Sequence, residues 1–574
     1  VQALEDEGVR FTFGIPGTHN IELYDALAAS DLVRPILVTD EQSASFMADG
    51  LWRASGSLGC VNLVPGAGLT HALSGIAEAY MDNVPLLVLG CGIRRDSGRA
   101  YQLHDIDQQA LVQPVTKATY LVEQTADLYR TIREACQLAR RGVPGPVFVE
   151  VPANLYMIAE EVEEPARGAD AVGLGPGGTT EGLDVPAVAG LLAKSTRPLL
   201  YLGAGASGAA SRLVQLAELL EAPVSTTFQG KGVFPETHDL FLWNGFGDAA
   251  PRFVRKVVAS CDAVLAVGCR FSEVGTGSYG LHLPGPMVHV DLDPEVFNRN
   301  YPAEITVLAD AGAFVDAFIG FLESAPPGSE PRGPDENLRA EIREGHQGVW
   351  SEWLRGGGSE RVSPPRLLRA LQEHLGPEAV FVTDSGNGTF LAAECLRLDR
   401  PGKFLAPVDY SCMGYSVPAA MGAKLGDPDA PVVALAGDGA FLMTGLEVLS
   451  AARDGTGIMV LVLRDRELAQ IAQFQETALS RKVSSGVADY DLGALARGMG
   501  VEFLALSSDE GISGVVREAA AIAETGQPVL VEVEIDYSEK TFFTRGVVKT
   551  NLLRLPLKDQ IRFVGRAVKR KVTG

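Results

Sequence analysis

Long apolar runs are missing from this chain, as are paired cysteines and any surplus of positive charge. No stretch reaches the about 18 to 20 apolar residues that span a bilayer, and the N-terminus carries no signal-peptide pattern, so neither a membrane protein nor a secreted one is expected. Val1 to Gly8 (VQALEDEG) reads as helix from its first residue, and a short native beginning is expected to be absent. The seven cysteines (60, 91, 136, 261, 269, 395, 412) are odd in number, scattered, and nowhere spaced as CxxC. That excludes a disulfide framework and predicts reduced, buried thiols in a cytoplasm. With 49 basic against 72 acidic residues the formal charge is -23, which would repel nucleic acid over most of the surface. The one basic cluster, Arg566 to Lys571 (RAVKRK), reads as a solvated tail or subunit-contact helix and is assigned no function. Low-complexity tracts are also lacking, and 46% hydrophobic with 21% charged residues is an ordinary globular profile.

At 574 residues the chain can fill several cores, and three domains of usual size fit best. Strand-like runs at Arg34 to Thr39, Pro85 to Leu89, Pro146 to Val151, Pro198 to Leu202, Ala263 to Val267 and Val288 to Asp291 alternate with helical stretches. Such alternation implies βαβ units and parallel sheets. Aperiodic Gly-, Thr- and Pro-rich segments at Arg167 to Gly182 and Pro326 to Asp335 read as linkers. The cuts predict α/β domains at 1–165, 183–325 and 360–540, followed by a tail at 541–574.

From Pro431 the sequence PVVALAGDGAFLMTGLEVLSAARDGTGIMVLVLRDRELAQI reads as strand, Gly-Asp-Gly turn, amphipathic helix and second strand. Gly437 and Gly439 let the backbone turn sharply and approach a ligand, and the helix that follows offers free N–H groups to phosphate oxygens. Asp438 projects at that strand end, and Asp465 ends the next strand 27 residues later. Parallel strands end side by side, so two oxygen ligands converge, a pattern suited to Mg²⁺ shared with a diphosphate.

This unit resembles the thiamine diphosphate (ThDP) motif of the pyruvate decarboxylase and pyruvate oxidase superfamily, and the whole chain is most similar to its acetolactate synthase branch. The motif begins GDG and ends in two asparagines; here Arg464 and Asp465 replace both, with Asp465 in the metal-ligand position and Glu467 where a backbone carbonyl is lent. The extra negative charge beside a diphosphate predicts unusually strict metal dependence. By the same resemblance Ala440 follows the GDG turn, Asn387 and Gly388 (TDSGNG) contact the diphosphate, Met413 wedges between the cofactor rings, and Ser411 accepts the 4'-amino group through its carbonyl.

Thiamine chemistry demands a carbanion at the thiazolium carbon, which the cofactor's aminopyrimidine makes when a carboxyl group drives its imino tautomer. Glu41, in VTDEQSASFMADG, matches the family's HEQ-AA-MADG segment and is the expected catalytic acid, buried so that it can share a proton. The turn GIPGTHN (Pro16, Gly17, Thr18, His19) is similar to the family's GxPGG loop, with Thr18 and His19 as candidates for proton handling. Pro65 to His71 (PGAGLTH) resembles PGATN, with His71 in the Asn position, and Gln108 (HDIDQQ) matches the glutamine of a DAFQE-like segment. Gln470, Ile471 and Phe474 match the helix that shapes the acceptor pocket, where catabolic acetolactate synthases carry Phe.

The resemblance implies three doubly wound domains: pyrimidine-binding, central Rossmann-like and diphosphate-binding. It implies decarboxylation of a 2-keto acid, capture of the resulting carbanion by a second carbonyl, and at least a homodimer, in the fuller reading a homotetramer. The central segment's YLGAGASG fits GxGxxG only weakly, and FAD stays an open alternative there. Rival readings are a non-ligating decarboxylase or oxidase on the same scaffold, a catalytically silent partner subunit, and a nicotinamide dehydrogenase.

Overall fold

Eighteen strands of the computed structural model, which describes residues 1–162, 184–324, 332–355, 360–562 and 565–566, form three six-stranded sheets. The first holds β1 (Phe11–Gly14), β2 (Arg34–Leu37), β3 (Gly59–Leu63), β4 (Leu86–Gly92), β5 (Ala118–Leu121) and β6 (Val147–Pro152). The second holds β7 (Pro198–Leu202), β8 (Val224–Thr226), β9 (Phe241–Asn244), β10 (Ala263–Val267), β11 (Met287–Asp291) and β12 (Ile305–Leu308). The third holds β13 (Val380–Thr383), β14 (Phe404–Leu405), β15 (Val432–Gly437), β16 (Met459–Arg464), β17 (Glu502–Leu506) and β18 (Val529–Glu534). The strand pairings are parallel throughout, as the alternation of apolar runs and helices requires.

Strand order is β2-β1-β3-β4-β6-β5 in the first sheet and β14-β13-β15-β16-β18-β17 in the third, so the two share one topology. The middle sheet runs β12-β11-β10-β7-β8-β9, the order of a dinucleotide-type fold read from its far edge. Each sheet therefore has a switch point where the winding reverses, and crevices open at the carboxyl ends of the strands there. The GIPGTHN turn follows β1, PGAG follows β3, and the GDG turn closes β15, so the motifs picked out by sequence sit at these places.

The first and third sheets pack through helices. Helix Glu41–Ser55 lies against helix Ser416–Gly426 so closely that a Cβ on Gly50 would stand 2.1 Å from the Ala419 carbonyl oxygen, and one on Gly422 1.9 Å from that of Met47. Only glycine permits that approach. Phe46 meets Tyr415 edge-on at 5.4 Å, and the Tyr415 hydroxyl donates to buried Asp49.

The linker expected at 167–182 lies outside the described residues, as do 326–331 of the second linker and 567–571 of the basic cluster. The region from 541, expected as a tail, begins as a packed helix, Phe542–Arg554. Phe543 stacks on Phe390 with centroids 4.4 Å apart, and the Glu394 carboxylate accepts the N–H groups of Phe542 and Phe543 at 3.1 and 2.9 Å. All seven cysteines are free and six are buried. Among the described residues no helix is long and apolar enough to cross a membrane.

Candidate active site

At the third sheet's switch point a cavity of roughly 130 Å³ opens over the ends of β13, β15 and β16. Asn387, Gly388, Met413, Gly437, Asp438, Gly439, Ala440, Asp465, Glu467, Gln470 and Ile471, all singled out by sequence, line it together. Two helices begin on this wall, Asn387–Cys395 and Asp438–Thr444, and neither N-terminus is capped by a side chain. Their positive dipole ends and the N–H groups left free there, that of Gly439 being taken by Asp438, favour an anion. A Cβ on Gly437 or Gly386 would meet nothing within 4 Å, so the backbone is bare where a ligand would come close.

Register places the two acids. Gly437 pairs with Leu463 on the neighbouring strand, which brings Asp438 and Asp465 to adjacent strand exits. The Asp438 carboxylate accepts the N–H of Gly439 at 2.8 Å and of Arg466 at 2.7 Å, tying the two exits together. Burial, the Asp438 charge and then the Glu467 charge push Asp465 up to about 7, and burial also raises Asp438. A buried acid raised by a second carboxylate at the adjacent strand exit makes a site that favours a cation. The Glu467 carboxylate is taken by Lys482 at 2.6 Å, which leaves its backbone carbonyl for a ligand role. Arg464, the other departure from the asparagine pair, turns away: it is buried over the Tyr490 ring at 4.1 Å, paired with Asp489 at 2.6 Å and Glu532 at 3.2 Å.

The loop carrying Met413 is held by two buried acids. Asp384 accepts the N–H groups of Gly414 and Ser416, each at 2.9 Å, and the Ser416 hydroxyl at 2.8 Å; burial pushes it up to about 6. Glu78, from the first sheet's helix Ala67–Met81, accepts the Cys412 N–H at 2.9 Å, and burial lifts it to about 9. Ser411 adopts positive φ, a strained shape for a residue with a Cβ that such anchors must hold. Sequence reading missed Asp384, Ser385, Gly386, Leu468 and Tyr537, which also line the cavity. Asp384 was within reach, since it ends the same strand exit as Asn387.

The predicted residues of the first sheet form a separate group around the turn after β3. Glu41 is buried at the start of its helix, with Asp40 capping Gln42 N–H. A Cβ on Gly68 would stand 3.0 Å from Glu41 Oε1, and one on Gly17 2.5 Å from Val64 Cγ1. His71 Nδ1 lies 3.5 Å from Glu41 Oε2 and 3.8 Å from Asp40. His19 and Thr18 follow at the turn after β1, where Pro16 is exposed, while Pro65 is buried. Gln108 is buried with both ends of its amide engaged: Oε1 accepts Gly66 N–H at 3.0 Å and Nε2 donates to the Cys91 carbonyl at 3.1 Å. It braces the Pro65–Gly66 turn.

Three sequence models describe the same ground in the same order. "Thiamine pyrophosphate enzyme, N-terminal TPP binding domain" matches residues 1–111, "central domain" 185–318 and "C-terminal TPP binding domain" 384–533. A probable acetolactate synthase large subunit of Methanocaldococcus jannaschii is 30% identical, with 94% of this chain and 91% of that protein aligned. The chain belongs to the thiamine pyrophosphate enzyme family. An acetolactate synthase large subunit of Haemophilus influenzae (28% identical, 94% of each chain) and the isozyme 3 large subunit of Escherichia coli (28%, 94% of this chain and 95% of that one) place it in the family's acetolactate synthase branch.

Within the family frame the cavity's neighbour is equally informative. A second space of about 290 Å³ shares Ser385, Gly386 and Gln470 with the first and adds Ser411 and Phe474. Its far wall comes from Glu273 and Val274 of the middle region and from Phe543, Val547 and Asn551 of the last helix. At the middle sheet's switch point a groove of about 610 Å³ runs between Gly205 after β7, Arg270 after β10 and Asp291 at the end of β11.

Proposed function

We propose that this family member decarboxylates a 2-keto acid and joins the remaining acyl fragment to a second carbonyl compound, the acetolactate synthase type of reaction. The observation that carries the reading is the cavity in which an Asp438–Asp465 pair meets two uncapped helix N-termini and the Met413 loop. The residues fit the cofactor: bare glycine backbone and free N–H groups suit a diphosphate, and Asp438, Asp465 and the Glu467 carbonyl would hold Mg²⁺ beside it. Bound thiamine diphosphate would supply the nucleophilic carbon and the electron sink that decarboxylation of a 2-keto acid needs. Glu41 would hold and move the proton at the aminopyrimidine ring nitrogen, and its burial keeps water from competing for that hydrogen bond. Met413 would keep the ring pair bent, with Ser411 offering its carbonyl to the amino group. Gln470 and Phe474 reach into the adjoining 290 Å³ space, which is sized for a second carbonyl substrate and is covered by the last helix.

Glu41 does not line the cavity that holds Asp438. A homodimer follows from this reading, with Glu41 of one chain facing the diphosphate cavity of the other. Leu442, Met443, Leu446 and Leu449, on the segment just after the GDG turn, are each 40% or more exposed, an apolar face that suits a subunit contact. A pair of such dimers would give the expected homotetramer, and seven free thiols suit a cytoplasmic protein. FAD would be carried, if at all, in the middle groove, and the purified protein's visible absorbance tests for it.

The deciding assay is ThDP- and Mg²⁺-dependent CO₂ release from pyruvate with analysis of the product. An acetohydroxy acid supports the reading, whereas an aldehyde or an acetylated or oxidised product assigns the chain to the non-ligating readings. Glu41→Gln is expected to lower CO₂ release about 100-fold or more. A chain that releases no CO₂ with either residue at position 41 would be a silent partner subunit.

A further inference from the structure

Three of the chain's eight histidines stand at one edge of the first sheet: His19 after β1, and His71 and His104 on either side of the turn at Gly66. The His19 and His104 rings meet edge-on, centroids 5.5 Å apart at 70°, and both are half-buried. The backbone works to bring them together. His104 holds φ +67°, a left-handed conformation that costs a β-carbon-bearing residue free energy. Its backbone and Cβ press on Gly66, where an added Cβ would stand 3.0 Å from the His104 carbonyl oxygen. Gly66 is the residue braced by Gln108, and Gly68, two positions on, abuts Glu41. The imidazole pair is thus built onto the same turn as the catalytic acid.

The pair is electrostatically bare. His71, His238 and His282 each face a carboxylate within 4 Å, whereas among the described residues no ion pair joins one to His19 or His104. Thr18 Oγ1 lies 3.3 Å from His19 Nδ1, and the Nε2 atoms of both rings have no hydrogen-bond partner among the described residues. Burial first, and then the neighbouring His104, hold His19 below the usual imidazole range. An anion lying between the two rings would offset the repulsion that a charged His104 exerts on a proton at His19. In a chain of charge -23, a substrate with a second negative group needs a local device of this kind.

We propose that His19 and His104 form an anion-accepting pair that binds a second acidic group on the 2-keto acid substrate, an inference that rests on the reaction proposed above. The shared chemistry is an anionic tail, carboxylate or sulfonate, on the donor. The test compares kcat/KM for 2-oxoglutarate with that for 2-oxopentanoate, and for sulfopyruvate with that for pyruvate; the first pair reads a carboxylate tail and the second a sulfonate. Wild type is expected to favour the dianion in at least one pair by about tenfold or more. His104→Gln should cut that preference about fivefold while 2-oxopentanoate turnover stays within about twofold. Ratios near one in both pairs, or a preference untouched by His104→Gln, overturn the proposal. Calorimetric titration with glutarate against pentanoate reads the pair without catalysis. Tighter glutarate binding that His104→Gln abolishes supports it even for a chain that releases no CO₂, and equal binding of the two acids overturns it.

Discussion

At position 465 a carboxylate stands where the family motif has an amide, and the structure shows what surrounds it. Arg464, the other departure, does not neutralise Asp465, because its guanidinium is buried between Asp489, Glu532 and the Tyr490 ring. The acid therefore faces Asp438 directly, which is why burial and like charge together push it up to about 7. A metal-binding set with two carboxylates holds a hard cation more tightly than one carboxylate and one amide, and repels a diphosphate more strongly when the cation is gone. Asp465→Asn is thus expected to weaken Mg²⁺ about tenfold and to let ThDP bind better in EDTA than wild type does. Equilibrium dialysis of the coenzyme with and without metal checks both signs; unchanged affinities would refute the strict metal dependence.

Among the elements, the last helix is the one the sequence hides. Phe542–Arg554 has no clear apolar stripe and looks like part of a tail, yet it is latched by Glu394 on the helix that begins at the diphosphate cavity. Burial pushes Glu394 up to about 7 from 4.5, although both N–H bonds and the nearby Arg545 oppose the shift. The folded state therefore binds a proton more tightly than the unfolded one. This stabilisation is complete below about 4.5 and is lost as pH rises to about 7. Glu394→Gln should flatten the fall in thermal stability across that window, and melting curves of the two proteins measure it. The legible elements share a physical cause: β15 and β16 are apolar runs closed by turn residues, so strand, GDG turn and helix are all written locally. The anchoring roles of Asp384 and Glu78 were not legible, because their partners Gly414, Ser416 and Cys412 lie 30 residues or more away and the bonds run mostly to backbone N–H groups, which carry no sequence signal. Gln108 was legible as important, but the two backbone groups its amide braces were not.

For the whole molecule, composition gave the class and the motifs gave the cofactor, and the resemblance implied a site shared between the first domain of one chain and the third of another. Glycines at 50 and 422 let helices Glu41–Ser55 and Ser416–Gly426 pack closely, and Glu41 does not line the GDG cavity of its own chain. Two chains would then share two sites, each with Glu41 from one subunit and Asp438 from the other. Co-refolded Glu41→Gln and Asp438→Ala chains test this most directly. Each variant alone is expected to release almost no CO₂ from a 2-keto acid. The random mixture should recover about a quarter of wild-type ThDP-dependent activity, because half of its dimers carry one intact site. Mixed dimers, verified by differential tagging, that remain as inactive as either parent would contradict a site built from the acid of one chain and the diphosphate cradle of its partner.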